Sequence, residues 1–170
     1  LERIKEENAL VAKMRQESDP SNEAALRPFI WPAKGTISGI YGSQRILNGQ
    51  PRNPHYGVDL AVPIGTPVMA PQAGRILLAR DFFLSGKTLI IDHGMGVQSI
   101  FMHLDKFAIR EGNKVKQGQV VAASGNSGRT TGPHLHWQVN WYDVKFNPQL
   151  LATNEFTQPR SRFTLSSVLR

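Results

Sequence analysis

The chain has 170 residues, 40% hydrophobic and 19% charged, enough for a real core in one domain with short appendages. It has no Cys, which excludes a disulfide framework, a Cys-ligated metal site and a thiol nucleophile. The net charge of +7 is uneven: residues 1–27 carry five Lys and Arg against six Asp and Glu, and residues 28–170 carry fifteen against seven. A basic body suits an anionic polymer or envelope surface. The cations are scattered, with no Lys/Arg-rich run and no interleaved aromatics, so no nucleic-acid partner is expected. No run of ~18 apolar residues occurs, so no transmembrane segment is expected. The chain opens Leu1-Glu2-Arg3 without an initiator Met and is expected to be a piece of something longer.

Residues 1–17 read as helix, with Leu1, Ile4, Val11 and Met14 near one stripe and Glu and Lys filling the rest. Ser18-Asp19-Pro20-Ser21-Asn22 ends it, because Pro resists continuation and Ser, Asp and Asn favour turns. Residues 1–27 are therefore read as a helical linker, or as a segment that docks an envelope protein partner. From Phe29 the character changes to short β-rich runs punctuated by Gly and Pro. Strands are expected at 68–70, 74–78, 88–91, 97–102, 120–123 and 135–139. Asp92-His93-Gly94-Met95-Gly96 reads as a hairpin turn, and 112–120 as a second hairpin-like step. The spacing predicts a mostly β fold, a compact antiparallel sheet or sandwich over 28–150, plus the short N-terminal helix. Residues 151–170 have no clear period and are expected to be a C-terminal tail docked on the surface.

Five histidines stand at 55, 93, 103, 134 and 136. His93 falls in the hairpin turn and reads as an ordinary satisfied core or turn residue. In His55-Tyr56-Gly57-Val58-Asp59, flanking prolines and Gly57 oppose a helix. On a straight strand, His55 and Asp59 would share a face yet sit ~13 Å apart. They meet at one metal only if the chain bends, and Gly57 permits a bend. In His134-Leu135-His136-Trp137, the strand period of 2 puts both His on one face and Leu135 and Trp137 on the other. The His Cβ atoms are then ~7 Å apart, which suits one ligand plus one neighbour. Together these residues suggest an open His₂Asp metal site of the catalytic kind.

The motifs resemble those of the M23 zinc metallopeptidases, the lysostaphin/LytM-type peptidoglycan endopeptidases. His55-Tyr56-Gly57-Val58-Asp59 is similar to the family's HxxxD motif and runs on through Ala61-Val62-Pro63-Ile64-Gly65-Thr66-Pro67. Ile91-Asp92-His93-Gly94-Met95-Gly96 and Phe101-Met102-His103-Leu104 resemble the central hairpin and next His motif. Ser127-Gly128-Arg129-Thr130-Thr131-Gly132-Pro133-His134-Leu135-His136 resembles the closing signature. Phe101-Met102 stands where many members carry a Tyr and a small residue. The resemblance covers roughly 29–148.

It implies one Zn2+ per chain held by His55, Asp59 and His136, with His103 and His134 as the catalytic pair beside it. It also implies an active-site groove across the sheet, peptidoglycan stem peptides as substrate, and an extracytoplasmic place of work, periplasmic or in the cell envelope. The usual Glu base of HExxH zincins is missing, so histidine must handle protons. Which of His103 and His134 does which job is left open. Arg45, Arg52 and Arg129 lie just before the motifs, and guanidinium groups suit the free carboxylates of diaminopimelate stems. D-Ala–diaminopimelate cross-links are therefore expected over oligoglycine bridges. Two other readings were weighed: an inactive LytM-like regulatory or binding module, opposed by the presence of all five site residues, and a biotinyl-type carrier barrel, opposed by the lack of a Lys at a tight modified turn.

Overall fold

The computed structural model describes residues 1–153. One helix, α1 (Glu2–Gln16), precedes thirteen short strands. These are β1 (Thr36–Gly39), β2 (Arg45–Leu47), β3 (Gln50–Arg52), β4 (Val58–Ala61), β5 (Pro67–Met69), β6 (Gly74–Phe82) and β7 (Gly86–Asp92). Then follow β8 (Val97–Leu104), β9 (Lys106–Phe107), β10 (Lys114–Val115), β11 (Val120–Ala123), β12 (Leu135–Trp141) and β13 (Val144–Phe146). The main sheet is antiparallel in the order β1-β4-β12-β8-β7-β6-β10, with β13 also paired to β12. A small sheet, β5-β11-β9, covers one side, and β2-β3 is a separate hairpin. The mostly β architecture and the single N-terminal helix agree with the pattern of the sequence.

Alternation divides the main sheet into two faces. Leu135, Trp137 and Val139 of β12 join Leu89, Ile91 and Phe101 in the larger core, which Val68, Val121 and Ala122 of the small sheet close. His136, Gln138 and Asn140 point to the opposite face, where their register partners are Met102, Ile100 and Gln98. This second face is half apolar. Leu78, Phe82, Ile90 and Ile100 are buried there under Leu10, Val11 and Met14 of α1. The helix stripe therefore runs through Leu10, while Leu1 is 98% exposed and lies outside it. The helix end is pinned by polar bonds: the Gln98 amide donates to the carbonyls of Met14 and Glu17, and Ser18 Oγ donates to Asp92.

The hairpin turn at Asp92–Gly96 joins β7 to β8 as expected, with Asp92 opposite Gln98. The step at 112–120 is not a hairpin. Gln119 N–H does donate to the Lys116 carbonyl, but β10 pairs with β6 and β11 with β5 and β9. The turn hands the chain from one sheet to the other, which a local turn pattern does not distinguish from a return along the same sheet. His93 is a core residue. Its Nδ1–H donates to the Ala73 carbonyl, and Nε2 accepts from Ser99 Oγ, which itself accepts from Trp137 Nε1. Of the expected C-terminal tail, Ala152 bridges to Phe29 and Thr153 N–H donates to the Phe29 carbonyl. Residues 154–170 of that tail lie outside the described residues.

Candidate metal centre

All five expected site residues come together at one end of the sheet's second face. The chain bends at Gly57 and enters β4, which brings Asp59 Oδ1 to 3.1 Å from His55 Nε2. β12 runs beside β4 with His136 opposite Asp59, and His136 Nδ1 lies 2.7 Å from Asp59 Oδ1 and 3.1 Å from His55 Nε2. The three donor atoms lie within 4.8 Å of one another. Gly57 is needed for closeness as well as for the bend. A Cβ there would sit 2.6 Å from His136 Cε1 and 2.6 Å from the Trp137 carbonyl oxygen.

The donor chemistry fits a metal ion. His55 Nδ1–H donates to the Ile40 carbonyl at 2.9 Å, and a carbonyl only accepts. That fixes the tautomer and turns the Nε2 lone pair toward Asp59, whose oxygen is itself only an acceptor when ionised. Two acceptor atoms at 3.1 Å need a proton or a metal cation between them. Burial alone would raise the Asp59 pKa. Hydrogen bonding to His136 and His55 outweighs it and holds the carboxyl well below the ordinary range. Burial pushes His136 down, against the pull of Asp59, so the neutral imidazole that a metal requires is the favoured form. Among the described residues no other His, Asp or Glu group has this convergence.

His134 and His103 flank the trio. His134 precedes β12, and its Nδ1–H donates to the Gly132 carbonyl at 2.8 Å. Its Nε2 lies 3.9 Å from Asp59 Oδ1. The His103 ring centroid is 5.0 Å from that of His134. His103 reaches this place through a defect in the strand. Phe101 is in the core, so simple alternation would send His103 to the core side also. Instead the β7–β8 register shifts between Lys87 and Leu89, and His103 takes φ 61°, a left-handed conformation that is uncommon for a residue with a Cβ. The extra residue restores Leu104 to the core and throws His103 onto the site face.

Ser127 holds that bulge. Its carbonyl accepts from His103 Nδ1–H at 2.8 Å, its Oγ donates to the Leu104 carbonyl, and the Oγ accepts from Lys87 N–H. The fit depends on Gly86, with φ 62°, where a Cβ would meet Ser127 at 2.4 Å. Burial lowers the His103 pKa to about 4, only partly opposed by the Ser127 hydrogen bond. His103 is therefore neutral at pH 7 with its proton on Nδ1. His103 thus presents a bare Nε2, and His134 has its Nδ1 committed to a backbone carbonyl in the same way. The supporting role of Ser127 was not legible beforehand: it sits in the quoted closing signature, but nothing in its spacing marks it as a tether. Of the three arginines near the motifs, Arg45 and Arg52 are register partners across β2–β3, and all three are exposed.

A His₂Asp cluster with a histidine pair beside it, on one face of an antiparallel sheet, defines a metal-dependent hydrolase class of site. Residues 53–148 match peptidase family M23, and the chain belongs to that family. It is 36% identical over 120 residues to the peptidoglycan DD-endopeptidase ShyA of Vibrio cholerae, an alignment covering 70% of this chain and 28% of ShyA. The chain thus spans under a third of that relative's length. Among solved structures, a candidate M23 peptidase from Pseudomonas aeruginosa superposes with a TM-score of 0.73 at 36% identity, covering 89% of this chain and 61% of that one. A zinc-containing peptidase from Vibrio cholerae gives a TM-score of 0.67 at 33% identity, covering 71% of this chain and 39% of the other.

Proposed function

We propose that this chain is the catalytic part of a zinc-dependent endopeptidase that hydrolyses peptide cross-links of bacterial peptidoglycan outside the cytoplasmic membrane, in the periplasm. The observation that carries the reading is the convergence of His55, Asp59 and His136 beside two imidazoles whose Nδ1 atoms are committed to backbone carbonyls, in a member of peptidase family M23. The similarity to a DD-endopeptidase and to a zinc-containing peptidase supports both substrate class and metal.

His55 Nε2, Asp59 Oδ1 and His136 Nδ1 would hold the ion. Bound there, zinc supplies Lewis-acid polarisation of an amide carbonyl and acidifies a water to a pKa near ~7. Hydrolysis breaks one C–N bond, adds one water, and moves one proton from that water to the leaving nitrogen. The Nε2 atoms of His103 and His134 are the groups that accept and return that proton. Their Nδ1 tethers to Ser127 and Gly132 keep each ring in the tautomer able to do so. A protonated imidazole beside the carbonyl also stabilises the charge that develops on its oxygen.

The cross-link proposed is D-Ala–diaminopimelate. The exposed guanidinium groups of Arg45, Arg52 and Arg129 suit its free carboxylates, which an oligoglycine bridge lacks. Purified cross-linked muropeptide dimers of the diaminopimelate type should be converted to monomers by the zinc-loaded protein, with pentaglycine untouched. Intact dimers alongside cleaved pentaglycine would overturn the specificity; both left intact would overturn the hydrolase reading.

A further inference from the structure

On the same sheet face as the metal centre, a cleft of ≈ 200 Å³ lies between α1 and the sheet. Asn8, Val11 and Arg15 line it from the helix, and Met102, Gln138 and Lys145 from the sheet. Met102 is the register partner of His136, and Gln138 follows His136 by two on the same face, so the cleft neighbours the site on that face. Lys145 is opposite Asn140 across β12–β13, and its Nζ lies 4.2 Å from the ring centroid of Tyr56, the residue after His55. Two cations thus meet in one recess, one from α1 and one from β13.

Their charges are poorly answered within the chain. Arg15 Nε is shut away from solvent with no hydrogen-bond partner among the described residues. Its Nη1 has only Asp143 at 3.8 Å, a carboxylate 68% exposed and so weakly coupled. Burial and Arg15 together push the Lys145 pKa down, and Asp143 opposes this only in part. Glu7 also lines the cleft, but its carboxylate already accepts from Arg3 Nε–H and from Phe83 N–H. A buried donor with nothing to donate to is costly, and a carboxylate is the group that a guanidinium and an ammonium side by side bind best.

We propose that Arg15 and Lys145 form a carboxylate subsite of the substrate groove, taking a free carboxylate of a peptide whose scissile amide lies at the metal centre. This rests on the peptidase reading. Gln138 and Asn140 are ~7 and ~13 Å along β12 from His136, so the carboxylate recognised is two to four residues, or one long diamino-acid arm, from the cut. α1 lies outside the span that matches the family, so this subsite adds a selectivity that the shared motifs do not encode.

The test is calorimetric titration with two short D-Ala–diaminopimelate peptides, one with the diaminopimelate carboxylate remote from the scissile amide free and one with that carboxylate amidated, on zinc-loaded and on chelator-treated protein. Wild type should bind the free acid about tenfold more tightly, worth about 1.4 kcal/mol. Arg15→Gln and Lys145→Gln should each bring the ratio near one while binding the amide as before. Lys13→Gln, the same charge change on the outer side of α1, should keep the tenfold ratio. Circular dichroism establishes folding first, and if Arg15→Gln does not fold, Lys145→Gln carries the same test. A wild-type ratio near one, or a ratio kept in the folded variants, overturns the subsite. A tenfold ratio with neither peptide cleaved sinks the hydrolase reading and leaves the subsite; equal binding with cleavage intact does the reverse.

Discussion

The imidazoles of His103 and His134 sit 5.0 Å apart, centroid to centroid, at 48°, and each is tied through Nδ1–H to a backbone carbonyl. Neither tie involves the metal trio. His103→Ala and His134→Ala should therefore keep most of their zinc while kcat falls by about 10²–10⁴. Elemental analysis paired with a muropeptide assay checks this. Loss of metal in His134→Ala would instead make His134 a ligand.

The trio should behave in the opposite way. His55→Ala and Asp59→Ala should bind zinc at well under a tenth of the wild-type level, because each removes one of three donors. Chelation of the wild type should lower its thermal midpoint, since metal bound only to the folded state stabilises it by RT ln(1 + L/Kd), with L the free metal concentration. An unchanged midpoint after complete zinc removal would separate the site from folding.

Gly57→Ala should damage the centre without replacing a donor residue. Its Cβ would collide with the His136 ring and with the Trp137 carbonyl, and neither is a flexible chain end. We expect about 1–3 kcal/mol lost in denaturant unfolding and weaker zinc retention. Wild-type values for both would mean that β12 shifts freely.

Deleting residues 1–24 should destabilise the sheet. Leu78, Ile90 and Ile100 would be uncovered, and the Gln98 amide would lose both of its acceptors. Met14→Ala alone should cost about 2–3 kcal/mol. Urea midpoints for the two proteins measure it, with the truncation the lower.

His93 adds to the acid slope of the stability, alongside His103 and His136, which burial also pushes down. Burial lowers its pKa to about 4, against ~6.5 unfolded. Between these values the unfolded chain binds the extra proton, so stability is complete above ~6.5 and falls as the pH drops toward 4, by about 3 kcal/mol. His93→Gln should start less stable and show a flatter slope over that window, read from urea midpoints at several pH values.

The alternation of Leu135 and Trp137 with His134 and His136 was legible because β12 is regular and its two faces differ in chemistry. The bend at Gly57 was legible because Pro and Gly leave few backbone alternatives. The bulge at His103 was not, since Phe101-Met102-His103-Leu104 contains no Gly or Pro to announce it, and the cause lies in Ser127, 24 residues on. The stripe of α1 was misplaced at Leu1 because two heptads fix a helix phase poorly, and the sheet selects Leu10. The step at 112–120 reads as hairpin-like and does contain a turn, but the strands on either side pair in different sheets, and those tertiary partners leave no local mark.

The bulge also sets a limit on transplanting this chemistry. A β-strand is a parity counter: every residue adds one, and odd and even fall on opposite sides. Copying Asp59, His134 and His136 onto the regular strands of another sheet, together with the bend at Gly57 that brings His55 in, would reproduce the cluster of donor atoms. Copying His103 with them would put it on the wrong side, because its position holds only where the count is broken. A graft must carry the Gly86–Ser127 contact as well, so the smallest portable unit of the histidine pair is a strand defect together with the loop that stabilises it.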